Sequence, residues 1–275
     1  MSPTWCAAWE HAHYGPDGFY RRNADPVAHF RTTIMDSAAT SQRIFEIALM
    51  HYRRLGEPTP FTVLDAGAGG EQLARDVRQL CDHRKLPWQV ESLNVPDGDI
   101  RDISPRGGAG VVVAHELLDD IPLQVAELDD TLAPRVVQVD PVTGVETLGE
   151  IASAADARWL EQWWPATVPG ARREVGSTRD ALWGTLLNVF DHGCAIAVDY
   201  CTTQAERERG VFDAGTLAGY RTGRIVRPVP DGSTNITAHV CVESLVAVGE
   251  QRGLPTADVT RPERHSDFHW LVQPI

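Results

Sequence analysis

The chain has 275 residues, with 25 basic and 38 acidic side chains and a formal net charge of −13. That length suits one α/β domain with an insertion, or at most two domains, and the acidic balance argues against nonspecific nucleic-acid binding, which needs a basic surface to displace counterions. The five widely spaced cysteines contain no C-x-x-C pair, and no leader or apolar run of about 18 residues is present, so a soluble cytoplasmic chain with reduced thiols and no membrane partner is expected.

Residues 1–60 are expected to be a helical and irregular N-terminal segment that contributes to a cap, and 1–34 within it are polar, aromatic and irregular, with turn signals at Gly15-Pro16-Asp17-Gly18. A helix is predicted over about 37–55, where Ile44, Ile47, Ala48 and Tyr52 share a face and Gly56 and Pro58 stop it. A short apolar strand, 61–64, runs into Asp65. The chain then turns through Gly67, Gly69 and Gly70, and a helical pattern follows with Leu73, Ala74, Val77 and Leu80 on one face. Strand, acidic residue, glycine turn and helix make the first βα unit of a nucleotide-type domain, because a turn that brings backbone against a ligand leaves no room for Cβ. Gln72 stands where a dinucleotide fingerprint would need its third glycine, and no phosphate-loop motif is present.

A second strand is predicted at 88–93, holding Glu91, and a buried parallel strand at 110–114. Residues 123–170 read as an insertion, a hairpin-plus-helix cap: strands 136–139 and 145–148 flank a turn at 140–144, and a Trp-rich helix covers 156–164. Ser177-x-x-Asp180 offers a capping box for a helix over 178–192 that Gly193 can end. Strand 194–198, closed by Asp199-Tyr200, follows, and strand-like segments lie around 224–229, 237–242 and 269–272. This alternation predicts a mostly parallel sheet wound on both sides, with an antiparallel C-terminal part, in a single domain over 1–275.

The spacing Asp65-x-Gly67-x-Gly69 resembles motif I of class I S-adenosylmethionine methyltransferases. Further stretches resemble one branch of them, the MidA-like family, which includes the mitochondrial complex I assembly factor that methylates a protein arginine. Gly18-Phe19-Tyr20 and His29-Phe30-Arg31-Thr32-Thr33 look like that family's GFY…HFRTS. The run Val113-Ala114-His115-Glu116-Leu117-Leu118-Asp119-Asp120-Ile121-Pro122 looks like its V-A-N-E-x-L-D-x-x-P. Ala197-Val198-Asp199-Tyr200 resembles its next strand end. Gly215-Thr216-Leu217-Ala218-Gly219-Tyr220-Arg221 and Asn235-Ile236-Thr237-Ala238-His239-Val240 match G-T-L-x-x-Y-R and D-[IL]-T-A-H-V. The match covers about 15–245 in order. It departs at Glu71, where the family often has glycine, at His115 for asparagine, and at Asn235 for aspartate.

The resemblance implies a class I, Rossmann-like seven-stranded fold with S-adenosyl-L-methionine as cofactor. It places Phe30, Thr32, Asp65, Gly67, Gly69, Gly70, Glu91, His115 and Glu116 around that cofactor, with Glu91 accepting from ribose hydroxyls. Glu71 could face the cofactor's cationic end or cap the helix. Methyl transfer is an in-line displacement at carbon that needs no metal, so catalysis falls to groups that orient the nucleophile and take its proton. Glu116 and Asp119 after the fourth family strand could grip a guanidinium bidentately, unless Asp119 and Asp120 merely cap a turn. His239 is a further catalytic candidate or a core histidine. His265-x-x-x-His269 with Asp267 has metal-like spacing outside the matched motifs, and no metal is expected. The acceptor is a protein, a peptide or a small molecule, with a homodimer left open. The rival readings are a small-molecule methyltransferase and a catalytically weak member that binds a partner.

Overall fold

The computed structural model describes residues 2–22, 37–67, 71–93, 100–165, 168–261 and 268–275. The expected parallel sheet is built from β1 (Phe61–Ala66), β2 (Gln89–Leu93), β3 (Ala109–His115) and β8 (His192–Thr202), all mutually parallel. Strand β14 (Phe268–Pro274) joins antiparallel to β8, and β13 (Asp258–Thr260) pairs antiparallel with β14. The short β12 (Val240–Cys241) also pairs with β8, completing seven strands in the order β13-β14-β8-β3-β1-β2 with β12 beside β8.

Alternate residues of these apolar strands feed two cores. Phe61, Val63, Val111, Val113, Ile196 and Val198 pack against α3 (Ser37–Arg54) and α4 (Gln72–Arg84). Leu64, Ala66, Val112, Ala114, Ala195 and Ala197 pack against α6 (Ser177–Leu186) and α8 (Val242–Gln251). Burial on both faces is what the continuous apolar runs require. The chain leaves β1 for β2 on one side and returns to β3 on the other, so strand order reverses at β1, the kind of place where open α/β sheets take ligands beyond the carboxyl ends of their strands.

Residues 123–175 form a second, four-stranded antiparallel sheet in the order β6 (Glu146–Ile151), β5 (Pro134–Val139), β4 (Gln124–Leu128), β7 (Arg172–Val175). It runs past the expected end at 170. Asp140 caps its hairpin turn, accepting from the backbone N of Val142 and Thr143 at 3.0 and 2.7 Å. Helix α5 (Ala154–Trp163) begins at Ser153, which accepts from Asp156 N, and buries Leu160 and the adjoining Trp164 beneath β4 and β7. A third small sheet orders β10 (Arg224–Val226), β9 (Ala218–Arg221) and β11 (Asn235–Thr237).

Several local expectations are overturned. The N-terminal segment is helical: α1 (Trp5–Tyr14) starts on Thr4, whose side chain accepts from Ala7 N, and a turn of helix, α2 (Phe19–Arg22), follows. Trp5, Ala8, Trp9 and Ala12 form its buried face, of which Trp5, Ala8 and Trp9 pack on Leu123, Val125, Val137 and Ile236. The capping box at 177–180 does not form. The N-cap is Gly176, and Asp180 instead accepts from Trp159 Nε1 at 2.7 Å and Ser244 Oγ at 2.6 Å. Helix α6 stops at Leu186, and Gly193 lies inside β8 at φ 135°, where a Cβ would sit 1.8 Å from Gly110 O. The segment read as strand 237–242 divides into the end of β11, β12 and the start of α8.

Candidate active site

At the carboxyl end of β1, Asp65 is buried, and burial pushes its carboxyl up to about 7. Gly67 follows at φ 78°, its N donating to Leu93 O at 2.9 Å, so the turn is tied to the end of β2. A Cβ at Gly67 would meet Leu117 Cδ1 at 2.4 Å. Glycine is therefore required by backbone conformation and by the neighbouring loop. Glu91 lies two residues before the end of β2, level with Leu64, and its Oε2 accepts from Arg106 Nη1 at 2.5 Å. Glu71 occupies the N-cap position of α4, exposed, with no side-chain capping bond. Phe30, Thr32, Gly69, Gly70, His265 and Asp267 lie outside the described residues.

Strand β3 ends at His115, level with Val198 of β8. Glu116 then takes φ 48°, a left-handed conformation uncommon for a non-glycine residue and concentrated at functional sites. Its N donates to Val198 O at 2.9 Å. Burial, reinforced by Asp119, raises the Glu116 carboxyl to about 8. The His115 imidazole is lowered to about 4 by burial and so is neutral at pH 7; its Nε2 lies 3.6 Å from Glu116 Oε1 and has no hydrogen-bond partner among the described residues.

The loop after Glu116 is held from below by Asp199, whose Oδ2 accepts from Leu118 N at 2.8 Å and Asp119 N at 3.3 Å. The Asp119 carboxyl is in turn hydrogen-bonded to Asp199 and to the backbone N–H of Asp120, bonds that lower it. Asp119 is buried, raised to about 6 by burial against the lowering pull of Arg179, and its Oδ1 has no partner among the described residues. Asp120 is fully engaged, by the Tyr20 hydroxyl and by Asn235 Nδ2. Burial and the adjacent Asp119 hold both Asp120 and Asp199 well above the ordinary carboxylate range.

Around these carboxyls stand Tyr200 and Tyr220, whose hydroxyls are raised by burial and by the nearby charges of Glu116 and Asp119. His239 lies in the loop between β11 and β12. Its ring stacks on Tyr200 with centroids 6.0 Å apart and meets Phe212 edge-on at 5.7 Å. The G-T-L segment is anchored to the second sheet. Thr216 N, Thr216 Oγ1 and Leu217 N gather around the buried Glu174 carboxylate of β7 at 2.7, 2.8 and 3.1 Å, and Thr216 Oγ1 accepts from His239 N at 2.8 Å.

The model of a family of S-adenosyl-L-methionine-dependent methyltransferases matches residues 78–260. The chain belongs to this family. Among solved structures, it is similar to a COG1565 superfamily member from Burkholderia thailandensis bound to S-adenosyl-homocysteine. The identity is 19% and the TM-score 0.76, over 100% of this chain and 88% of that one. A native structure of a COG1565 superfamily protein from the same organism is similar at 18% identity and TM-score 0.71, over 100% and 87%. At such identity the likeness speaks to the fold, the class I methyltransferase fold. No curated protein matches the sequence.

At the carboxyl ends of β1, β2 and β3 the groups that could meet the family's cofactor are the partly exposed Glu91 carboxylate, paired with Arg106, and the unpartnered buried Nε2 of His115, while the space beside Gly67 is taken by Leu117. Among the described residues, no group of three His, Cys, Asp or Glu side chains could hold a metal, and no helix is long and apolar enough to cross a membrane.

Arg179 is the residue that sequence reasoning missed. It projects from the first turn of α6, is 1% exposed, and among the described residues donates to backbone carbonyls: Asp119 O and Ala238 O at 2.7 Å, His239 O at 2.9 Å and Ile121 O at 3.2 Å. A solitary arginine inside a presumed capping box gives no signal that its partners lie about sixty residues away on either side.

Proposed function

We propose that this methyltransferase transfers the methyl group to a nitrogen of a cationic acceptor, an arginine side chain of a protein or peptide by family resemblance. The observation that carries the reading is the pair formed by the half-buried Glu116 and the buried Asp119 after the carboxyl end of β3, with Asp119 Oδ1 lacking a partner among the described residues. A buried carboxylate oxygen left without a donor is costly, and a guanidinium N–H would satisfy it.

Gly67, Asp65, Glu91 and His115 are the residues assigned to the cofactor, which supplies the electrophilic methyl group when bound. Glu116 and Asp119 orient the acceptor so that one nitrogen lone pair points along the line of displacement. With the cofactor bound, its sulfonium would give up the methyl group to that nitrogen and keep the bonding electron pair. The proton left on the methylated nitrogen passes to Glu116 Oε, a carboxyl tuned by burial to hold a proton near neutrality.

The catalytically weak reading loses one of its motives, since Asn235 is matched to Asp120 in this chain. The test is to offer the purified protein S-adenosyl-L-methionine with arginine-rich peptides, and in parallel with neutral phenols and alcohols, and to follow S-adenosyl-homocysteine. Release with the cationic peptides, and a methylated arginine in the product, is expected. Release with only the neutral acceptors would replace this reading by the small-molecule one.

A further inference from the structure

Arg179 is the positive charge that acts on the buried carboxyls of Asp119, Asp120, Asp199 and Glu174. The other titratable groups that face Asp119 are Glu116 on its own loop, Tyr200 on β8, Tyr20 on α2 and Tyr220 on β9, all half-buried. A guanidinium this deeply buried must have its donors satisfied. All of its bonds described above run to main-chain oxygens, so its charge is not consumed in a close ion pair. Two of its partners, Asp119 O and Ile121 O, belong to the acceptor loop. The other two, Ala238 O and His239 O, belong to the loop that carries His239, and Ala238 N itself donates to Asp119 O at 3.1 Å.

We infer that Arg179 is a positioning residue of the acceptor site, clamping the 119–121 and 238–239 loops together and supplying the buried positive charge that keeps Asp119 an anion ready for a cationic acceptor. Its part toward an acceptor rests on the function proposed above, while its action on Asp119 does not. The clamp and the charge are separable by substitution. Arg179→Lys keeps the charge but cannot span four carbonyls, and Arg179→Gln removes the charge while keeping a planar donor.

The experiment is a carbon-13 carboxyl titration of the ligand-free full chain, with the Asp119 resonance assigned by its loss in Asp119→Asn. Calorimetry of S-adenosyl-homocysteine and of methylguanidinium accompanies it. Arg179→Gln should move the Asp119 midpoint upward by about one pH unit or more, the low end for losing an adjacent opposite charge. It should leave S-adenosyl-homocysteine affinity within about twofold. Arg179→Lys should leave that midpoint near the wild-type value and weaken methylguanidinium at least about fivefold, the lower bound of a typical coupling between sites. An unmoved midpoint in a Gln variant that still binds S-adenosyl-homocysteine would overturn the electrostatic half. Undiminished methylguanidinium affinity in the Lys variant would overturn the clamp. Should Arg179→Gln not fold, the Lys variant still decides between a clamp and a bystander. If the wild-type protein binds no methylguanidinium at any pH, the cationic-acceptor reading fails, and the carboxyl titration still judges Arg179.

Discussion

Asn235 Nδ2 donates to Asp120 Oδ1 at 2.8 Å, and the same Asp120 carboxyl takes the Tyr20 hydroxyl on its other oxygen. The departure from aspartate at 235 is therefore a match to the acid at 120. An aspartate at 235 would put two carboxyls in contact in a dry site, where they cannot both ionise.

Asn235→Asp should accordingly destabilise the fold rather than restore a motif. The loss should be about 1–3 kcal/mol, the cost of an unsatisfied buried polar group. It should grow with pH, because at pH 5 the two carboxyls can share a proton and at pH 9 they cannot. Thermal melts at the two pH values decide it; an equal drop in Tm at both would refute the account.

Glu116→Gln should keep S-adenosyl-L-methionine affinity and lose at least about tenfold in turnover, ~1.4 kcal/mol of transition-state stabilisation. In the wild type, kcat/KM for a cationic acceptor should climb as pH rises through about 8, where the carboxyl ionises. Stability runs the other way. The folded carboxyl is raised, so the native state holds the proton more tightly than the unfolded chain, and stability falls as pH rises from the ordinary glutamate range toward 8 and beyond. The Gln variant should flatten that fall in a denaturant series. A fall as steep as in the wild type would assign it to other groups.

His13 gives the opposite slope. It is buried in α1, accepts from Ile236 N through Nε2 at 2.9 Å, and burial lowers it to about 3. The unfolded chain therefore binds a proton that the folded one refuses, and stability is lost as pH falls through the ordinary histidine range toward 3. Replacing His13 with Phe should lower stability at pH 8 by removing the bond while reducing the acid sensitivity, both read from urea midpoints at pH 8 and pH 4.

The Glu91–Arg106 pair tests the cofactor assignment. Both side chains are partly exposed, 45% and 34%, so the pair itself contributes little to stability, about 0–1 kcal/mol. Arg106→Ala should leave S-adenosyl-homocysteine affinity equal or tighter by freeing the carboxylate. Glu91→Ala should weaken it by about 1.5–3 kcal/mol, the range for a hydrogen bond to a charged group. Unchanged calorimetry in Glu91→Ala would remove Glu91 from the site.

The central sheet was legible because its strands are buried on both faces, leaving uninterrupted runs such as 110–114 that only a parallel interior strand explains. The turn at Gly67 was legible for the same kind of reason, since a positive φ and a close approach leave glycine as the residue that fits. The Leu117 contact was not, as it joins loops fifty residues apart. Gly67→Val would thus disturb the Glu116 loop as well as its own turn. The α1 helix was legible and was missed: Trp5, Ala8, Trp9 and Ala12 stand at the i, i+3, i+4, i+7 spacing of a helix face, overlooked among the histidines and aromatics around them. The capping box at 177–180 failed because Asp180 found Trp159 and Ser244, partners that local spacing cannot reveal.

The Glu174 carboxylate has a consequence for how this scaffold could change its substrate. It anchors the G-T-L segment to β7, and Thr216 hands the restraint on to His239, so the aromatic wall is mounted on the second sheet as well as on the first. Strands β4 and β7 are the chassis of that mounting. The β5–β6 hairpin beyond them is tied in as well, Glu146 taking Arg172 of β7 on both oxygens and Gly144 O accepting from Arg227 at 2.6 Å, so exchanging its tip would cost those bonds. A swap that cuts into β7 would carry the wall of the acceptor site with it.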